Sequence, residues 1–377
     1  VAKKRNPSSS GTLPVSTQAA KTATEHITKP NHNTALPTQP PRKKPKNIVW
    51  LWVSMGVISL VAVGALIALF IPTRANNVAS PPIKPSSFGV GPVTACQRQP
   101  LFVNGLGFKQ VSINTIEYTV KGMLLFDSTT GTDPKDPKTK TYRHETWDDA
   151  GYMHAHMLDR NGNIYLIPAP RVDLFSNPPE KQNVLYVVDD KTGVMKAYLD
   201  LPYERAPSQL NPYGLMGLGF DCDTNGLYVS SVAGSSRNEE LGRIFRVDLS
   251  TGKITDQLEY MDVLGIGVFN TPKGKRLYFG KARTPEIHSI ALDNAGNFVG
   301  DSRLEFSIVG LDPSGADKGR RIQFRTVGNE RSLEMIIDTL KFNYNLVPPS
   351  SQSLRLALRY VYEPNTDTWK FMELIKR

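Results

Sequence analysis

The residues best equipped for chemistry lie in "GYMHAHMLDRNGNIYLIPAP" (151–170), where His154 and His156 stand two apart among only six histidines in 377 residues. On a strand, that spacing sends both imidazoles from one face. There they act as metal ligands, as contacts for a bound molecule, or as packed side chains. A catalytic metal usually takes three protein ligands and an open position, so the pair needs His144 or an acid of "YRHETWDD" (Glu145, Asp148, Asp149) to complete it. A second candidate is "DCDTNG", in which Asp221, Asp223 and Asn225 follow the opening of a calcium loop. Val232 stands where an EF-hand places its glutamate, so the segment reads either as a looser calcium loop or as turn chemistry. Arg320, Arg321, Arg325 and Arg331 cluster further on, and Arg325 of "RIQFRTV", if it faces inward, meets an anionic group beside the histidines. Cys96 and Cys222 are the only cysteines and are a candidate disulfide. The sequence carries no P-loop, haem-attachment motif, G-x-S-x-G elbow or zincin helix.

These residues need elements to hold them, and charge and hydropathy divide the chain before any strand is drawn. The formal net charge is +10, but residues 1–47 hold nine Lys or Arg against the single acid Glu25. The remainder is nearly balanced, which disfavours a basic nucleic-acid-binding face. Residues 1–47 are rich in Ser, Thr, Pro and Lys without hydrophobic period, and read as a disordered tail. From Ile48 to Ile71 the chain runs without a charge, long enough at about 1.5 Å per residue to span the hydrocarbon core of a bilayer. This predicts one transmembrane signal-anchor helix. Arg42, Lys43, Lys44 and Lys46 precede the span and only Arg74 closely follows it, placing the tail in the cytoplasm and the rest in the periplasm or outside the cell. Residues 72–100 read as a Pro/Gly/Ser linker and 101–377 as the folded ectodomain. Both cysteines then fall in an oxidising compartment.

The ectodomain consists of short β-rich runs broken by Asp, Asn and Gly turns, and the runs repeat. "GLGFDCDTNGLYVSS" followed by "GRIFRVDLSTGKITDQLEY" is echoed by "GIGVFNTPKGKRLYFG" followed by "EIHSIALDNAGNFVGDSRLEF", and by "HAHMLDRNGNIYLI" followed by "NVLYVVDDKTGVMKAYLDL". Four strands per copy at this spacing mark a β-propeller blade. The fold class is therefore all-β, a propeller of five or six blades, with six favoured and the first completed from both ends of the domain. Aligned on their turns, the copies place His154 and His156 opposite Gly217 and Gly219, and opposite Gly265 and Gly267. These are innermost-strand positions lining a central channel, and two imidazoles there depart from the chain's own repeat.

In phrasing such as "GRIFRVDLSTG", the pattern over roughly 110–377 resembles the six-bladed group that includes NHL-repeat, gluconolactonase-like and strictosidine-synthase-like propellers. That resemblance implies architecture; the group's metal-binding acid and Asn set does not map residue by residue. With no complete catalytic set, the expected function is a non-catalytic binding or scaffold module for a protein or cell-envelope ligand, without cofactor. The alternative is a metal-dependent, lactonase-like hydrolase or lyase with a divalent metal on His154 and His156. A structural subunit of a larger membrane assembly is a third reading.

Overall fold

The computed structural model describes residues 89–115, 120–169, 175–345 and 356–376. The expected tail (1–47) and apolar span (48–71) lie outside the described residues. Among the described residues no helix is long and apolar enough to cross a membrane.

Five sheets make up the domain. The first has three strands, β2 (Val111–Asn114), β3 (Leu124–Asp127) and β4 (Thr141–Tyr142). The second runs β5 (Met153–Leu158), β6 (Ile164–Pro168), β7 (Val184–Val188), β8 (Met195–Asp200). The third is β9 (Leu215–Asp221), β10 (Gly226–Ser231), β11 (Arg243–Asp248), β12 (Lys253–Glu259). The fourth comprises β13 (Val263–Thr271), β14 (Gly274–Lys281), β15 (Glu286–Leu292) and β16 (Phe298–Ser307). The fifth holds β17 (Lys318–Val327), β18 (Ser332–Leu340), β19 (Leu356–Glu363) and β20 (Thr368–Lys376). Each is an up-and-down antiparallel meander in chain order, which is a propeller blade.

The blade count is five, not the six favoured from sequence. Strand β3, within "MLLFDSTTG" (123–131), is the middle strand of a short first blade. The fifth blade is built wholly from the C-terminal segment, while the N-terminal segment adds β1 (Gly91–Pro92) to the inner edge of the fourth. Strands of nine or ten residues in the last two blades, with long inter-blade loops, use the length that a sixth blade would need.

Side-chain alternation explains how the blades pack. On β6, Ile164 and Leu166 face the first blade beside Met123, Leu125 and Trp147, whereas Tyr165 and Ile167 face the third beside Phe220 and Leu227. The same division gives a core between the third and fourth blades around Tyr228, Ile244 and Val263, and between the fourth and fifth around Phe269, Tyr278, Met335 and Leu358. A middle strand buried on both faces must be apolar throughout, which is why "hYh" recurs there.

The antiparallel meander also sorts the connections. First-to-second and third-to-fourth strand links fall at one end, the turn end, and are tight. There Asp159 Oδ1 accepts the amides of Asn161, Gly162 and Asn163 at 2.8 to 2.9 Å, and Asp293 Oδ1 does the same for Ala295 and Asn297. Second-to-third strand links and blade-to-blade crossings share the opposite, loop end.

Candidate functional site in the central channel

Registers within the first hairpin of each blade fix which residues are equivalent. Met157 pairs with Tyr165, Gly219 with Tyr228, Gly267 with Tyr278 and Gln323 with Ile336. Hence Met157, not His156, stands in the place of Gly219 and Gly267. The alignment on turns slipped by one, because the first hairpins of the blades differ in length between these paired positions. His156 corresponds to Leu218, Ile266 and Ile322. The pairing also shifts near the start of each of these four inner strands, between Met153 and Ala155 on β5 and between Gly319 and Arg321 on β17. His154 and Arg320 are the skipped residues of two such bulges, which re-aim a side chain.

The two histidines consequently have different surroundings. His154 is buried, and its Nδ1 lies 3.2 Å from a guanidinium nitrogen of Arg320, joining the second blade to the fifth. His156 is partly buried, its Nδ1 is shut off from solvent, and that atom has no hydrogen-bond partner. Desolvation, reinforced by the nearby positive charge of Arg321, lowers its pKa from 6.5 to about 4, so it is neutral at neutral pH. Beside it lies a channel cavity of about 360 Å³, walled by β5, β9, β13 and β17 and by the segment that carries β1. Arg325 sits on its rim, with its guanidinium 2.7 to 2.8 Å from Glu334. Burial raises the Glu334 pKa, but Arg325 and Arg359 more than offset this and hold it below the ordinary carboxylate value.

Other predicted residues are placed elsewhere. His144 caps a short 3₁₀ turn, its Nδ1 accepting the Thr146 amide, and His288 on β15 stacks on Phe279 and contacts Glu286. Among the described residues, no three His, Cys, Asp or Glu side chains gather as a metal site needs. The two channel histidines alone fall short of a three-ligand set, and one of them faces a guanidinium. At the calcium-like turn, the buried ammonium of Lys275 stands 2.7 to 2.8 Å from both Asp221 and Asp223, where a cation would sit. Asn225 takes φ +53° and bonds Ser250, the turn role open to it. Arg331 occupies a hairpin turn at φ +54°.

Cys96 and Cys222 form a disulfide. It fastens residues 89–97, part of the segment read as linker, across the turn end of the channel. Gly91 and Pro92 pair with Asn270 and Phe269, and the Gln97 side chain donates to the Leu158 carbonyl at 2.7 Å. Pro92, Thr94 and Gln97 thereby become cavity wall. Sequence reasoning missed this strap, because a two-residue strand in a Pro/Gly-rich stretch has no periodicity. It also missed the hub at the loop end, where buried Asp262 accepts from Ser235, Tyr344 and Arg283 across three blades. Burial raises the Asp262 pKa despite these donors.

The arrangement defines a five-bladed β-propeller with a strapped channel. No family model matches the chain, and no curated protein matches it in sequence. Among solved structures it is similar to the Dos1 propeller (TM-score 0.39, 12% identity, 61% of this chain and 52% of that one). It is also similar to the hydrazine synthase of Kuenenia stuttgartiensis (0.34, 13%, 65% and 53%) and to the tricorn protease (0.37, 11%, 70% and 25%). The chain thus spans about half the length of the first two. Likenesses this distant assign no activity.

Proposed function

We propose that the protein is a membrane-anchored, extracytoplasmic propeller that acts as a non-catalytic binding module for a protein or cell-envelope partner, which it engages with its loop end. The observation that carries this reading is an asymmetry between the two ends. Among the described residues, four large apolar side chains are more than 60% exposed, Phe175, Leu210, Val309 and Tyr260, and all four belong to loop-end connections. Tyr260 in addition takes φ +57°, a strained conformation for a bulky residue and one that binding sites tolerate. Exposed apolar side chains distributed over one end of the domain, and not the other, suit a partner surface. The channel mouth at this end carries His154 and Arg320. The uncharged apolar run of the sequence at 48–71 and a disulfide suited to an oxidising compartment support display beyond the membrane.

The test is photo-crosslinking in intact cells, with the full chain carrying a photoreactive residue at Leu210 or Val309, and at Lys191 or Ser250 in the turn end as controls. Discrete adducts from the loop-end positions alone are expected. Adducts from both ends equally, or from neither, would refute the reading.

A further inference from the structure

The first blade differs from the other four in leaving a strand edge open towards the channel. Gly122, in the β2–β3 link, donates its amide to the Gly151 carbonyl at 2.6 Å, beside the start of β5 and so at the loop end. In blades two to five, a link at that end joins the second strand to the third. β2 therefore holds a second-strand position, and among the described residues the first blade has no inner strand. Burial agrees, because its counterparts β6 and β10 bury every residue whereas β2 fully buries none. The Ser128 amide donates to the Gln110 carbonyl at 2.9 Å, so bonding to β3 alternates on to Ser112 and Asn114. The backbone groups of Val111 and Ile113 then point to the uncovered inner edge.

Apolar cores join blades one to two, two to three, three to four and four to five; among the described residues none joins five to one. On that side the fifth blade presents an ion-paired face, Arg325–Glu334–Arg359–Glu373, with steps of 2.7 to 2.8 Å. At the loop end the inner strands flanking the seam meet directly, His154 against Arg320. Towards the turn end the cavity of about 360 Å³ separates them. Leu158, on the first-blade side of β5, lines it, as do Gln323, Arg325 and Ile336, which alternate with the residues packed on the fourth blade. The cavity thus reaches the place where an inner strand of the first blade would stand.

We propose that this seam is a β-strand addition site, in which an extended segment of a partner protein pairs antiparallel with β2 and completes the first blade. The chain's own repeat defines the fit, since β5, β9, β13 and β17 each cover a second strand in this way. β2 offers four residues, about 13 Å of ladder. Alternate side chains of the guest face Leu158 and the second blade on one side and the fifth blade on the other. On the fifth blade the arginines are the exposed members of their pairs: the Arg325 side chain is 50% exposed against 4% for Glu334, and Arg321 37% against 22% for Asp338. The matching guest alternates apolar and acidic residues, its carboxylates turned to the guanidinium side. The bordering segments of this chain suit the role poorly, because 72–88 contains Pro72, Pro81, Pro82 and Pro85, 346–355 contains Pro348 and Pro349, and each proline removes a ladder donor. The site lies apart from the loop tips and does not rest on the loop-end reading.

The full chain is titrated with the fluorescein-labelled peptide acetyl-SVEVEVS-amide, with SVKVKVS and SVEPEVS versions as controls for charge and for the ladder. Affinity is read by anisotropy and strand pairing by amide hydrogen exchange. Saturable binding is expected, with exchange slowed at Val111 and Ile113 but not at Ser112 and Asn114, and with affinity at least about tenfold lower for both controls. Q323W, which carries a bulky side chain from the exposed face of β17 into the seam, abolishes binding, and R325Q narrows the gap between the glutamate and lysine peptides. The proposal is overturned if the glutamate peptide does not saturate, if it binds without slowing Val111 and Ile113, or if the lysine peptide binds as tightly. Slow exchange at these two amides before any peptide is added also overturns it: if independent of protein concentration, this chain covers its own edge, and if it grows with concentration, a second copy does. Loop-end crosslinking is unaffected by any of these results.

Discussion

Gly217 and Gly219 lie on one inner strand, two residues apart, and replacing each with alanine separates two roles that the sequence makes look identical. A Cβ at Gly217 would stand 2.3 Å from the Leu264 carbonyl oxygen and 3.2 Å from the Ile266 amide, both backbone atoms of the neighbouring blade. Neither can swing aside, so β9 and β13 must separate. A Cβ at Gly219 would have nothing nearer than 3.6 Å, an ordinary contact. Neither position has positive φ, so alanine brings no backbone strain to either. Overpacking against fixed atoms costs about 1–3 kcal/mol, and the 2.3 Å approach puts Gly217→Ala near the top of that range. Gly219→Ala is neutral or stabilises by up to about 1 kcal/mol, because alanine restricts the unfolded chain. Urea denaturation of the full chain should therefore show midpoints separated by about 1 M, with Gly217→Ala lower. Equal midpoints, or a lower one for Gly219→Ala, would refute the inter-blade packing described.

Three further outcomes are expected. Because the His156 pKa falls on folding, the unfolded chain binds the extra proton first, so stability drops as pH falls from 6.5 towards 4; the loss is on the order of 3 kcal/mol, and H156I should flatten it in urea melts taken across that range. Substituting Cys96 and Cys222 together by serine opens a loop spanning 126 positions and should lower stability by about 5 kcal/mol, with a loss under about 1 kcal/mol showing that the strap is not stapled. Lys275→Met leaves two acids facing each other at the Asp221 turn and should cost about 3–5 kcal/mol by chemical denaturation, while millimolar calcium leaves the unsubstituted protein unchanged; stabilisation by calcium would mean that the ion displaces the ammonium.

How much of this was legible follows from sequence distance. Strands and turns are local: Asp159 caps residues two to four positions ahead, and "hYh" reports a middle strand packed on both faces. The propeller could therefore be read from repeated phrases. Blade number could not, because strand and loop lengths vary among copies and the closing contacts lie far apart in sequence. The same distance hid the turn chemistry. "DCDTNG" looks like a cation loop until Lys275, 54 residues on, supplies the cation. Arg320 was visible as one of a basic cluster, but its meeting with His154 spans 166 residues and depends on two bulges that no local pattern records.

The repeat nonetheless carries more information about the site than any motif, provided that register is right. Four inner strands present the same position four times, and three present an aliphatic side chain there: Leu218, Ile266 and Ile322. The fold thus demonstrates, within one molecule, that packing at this level needs no polar atom. An imidazole at the fourth position, with one nitrogen buried and unbonded, adds desolvation cost without adding packing, and makes stability fall on acidification. The imidazole is thus a local departure from the chain's own repeat, and one that costs stability instead of adding to it.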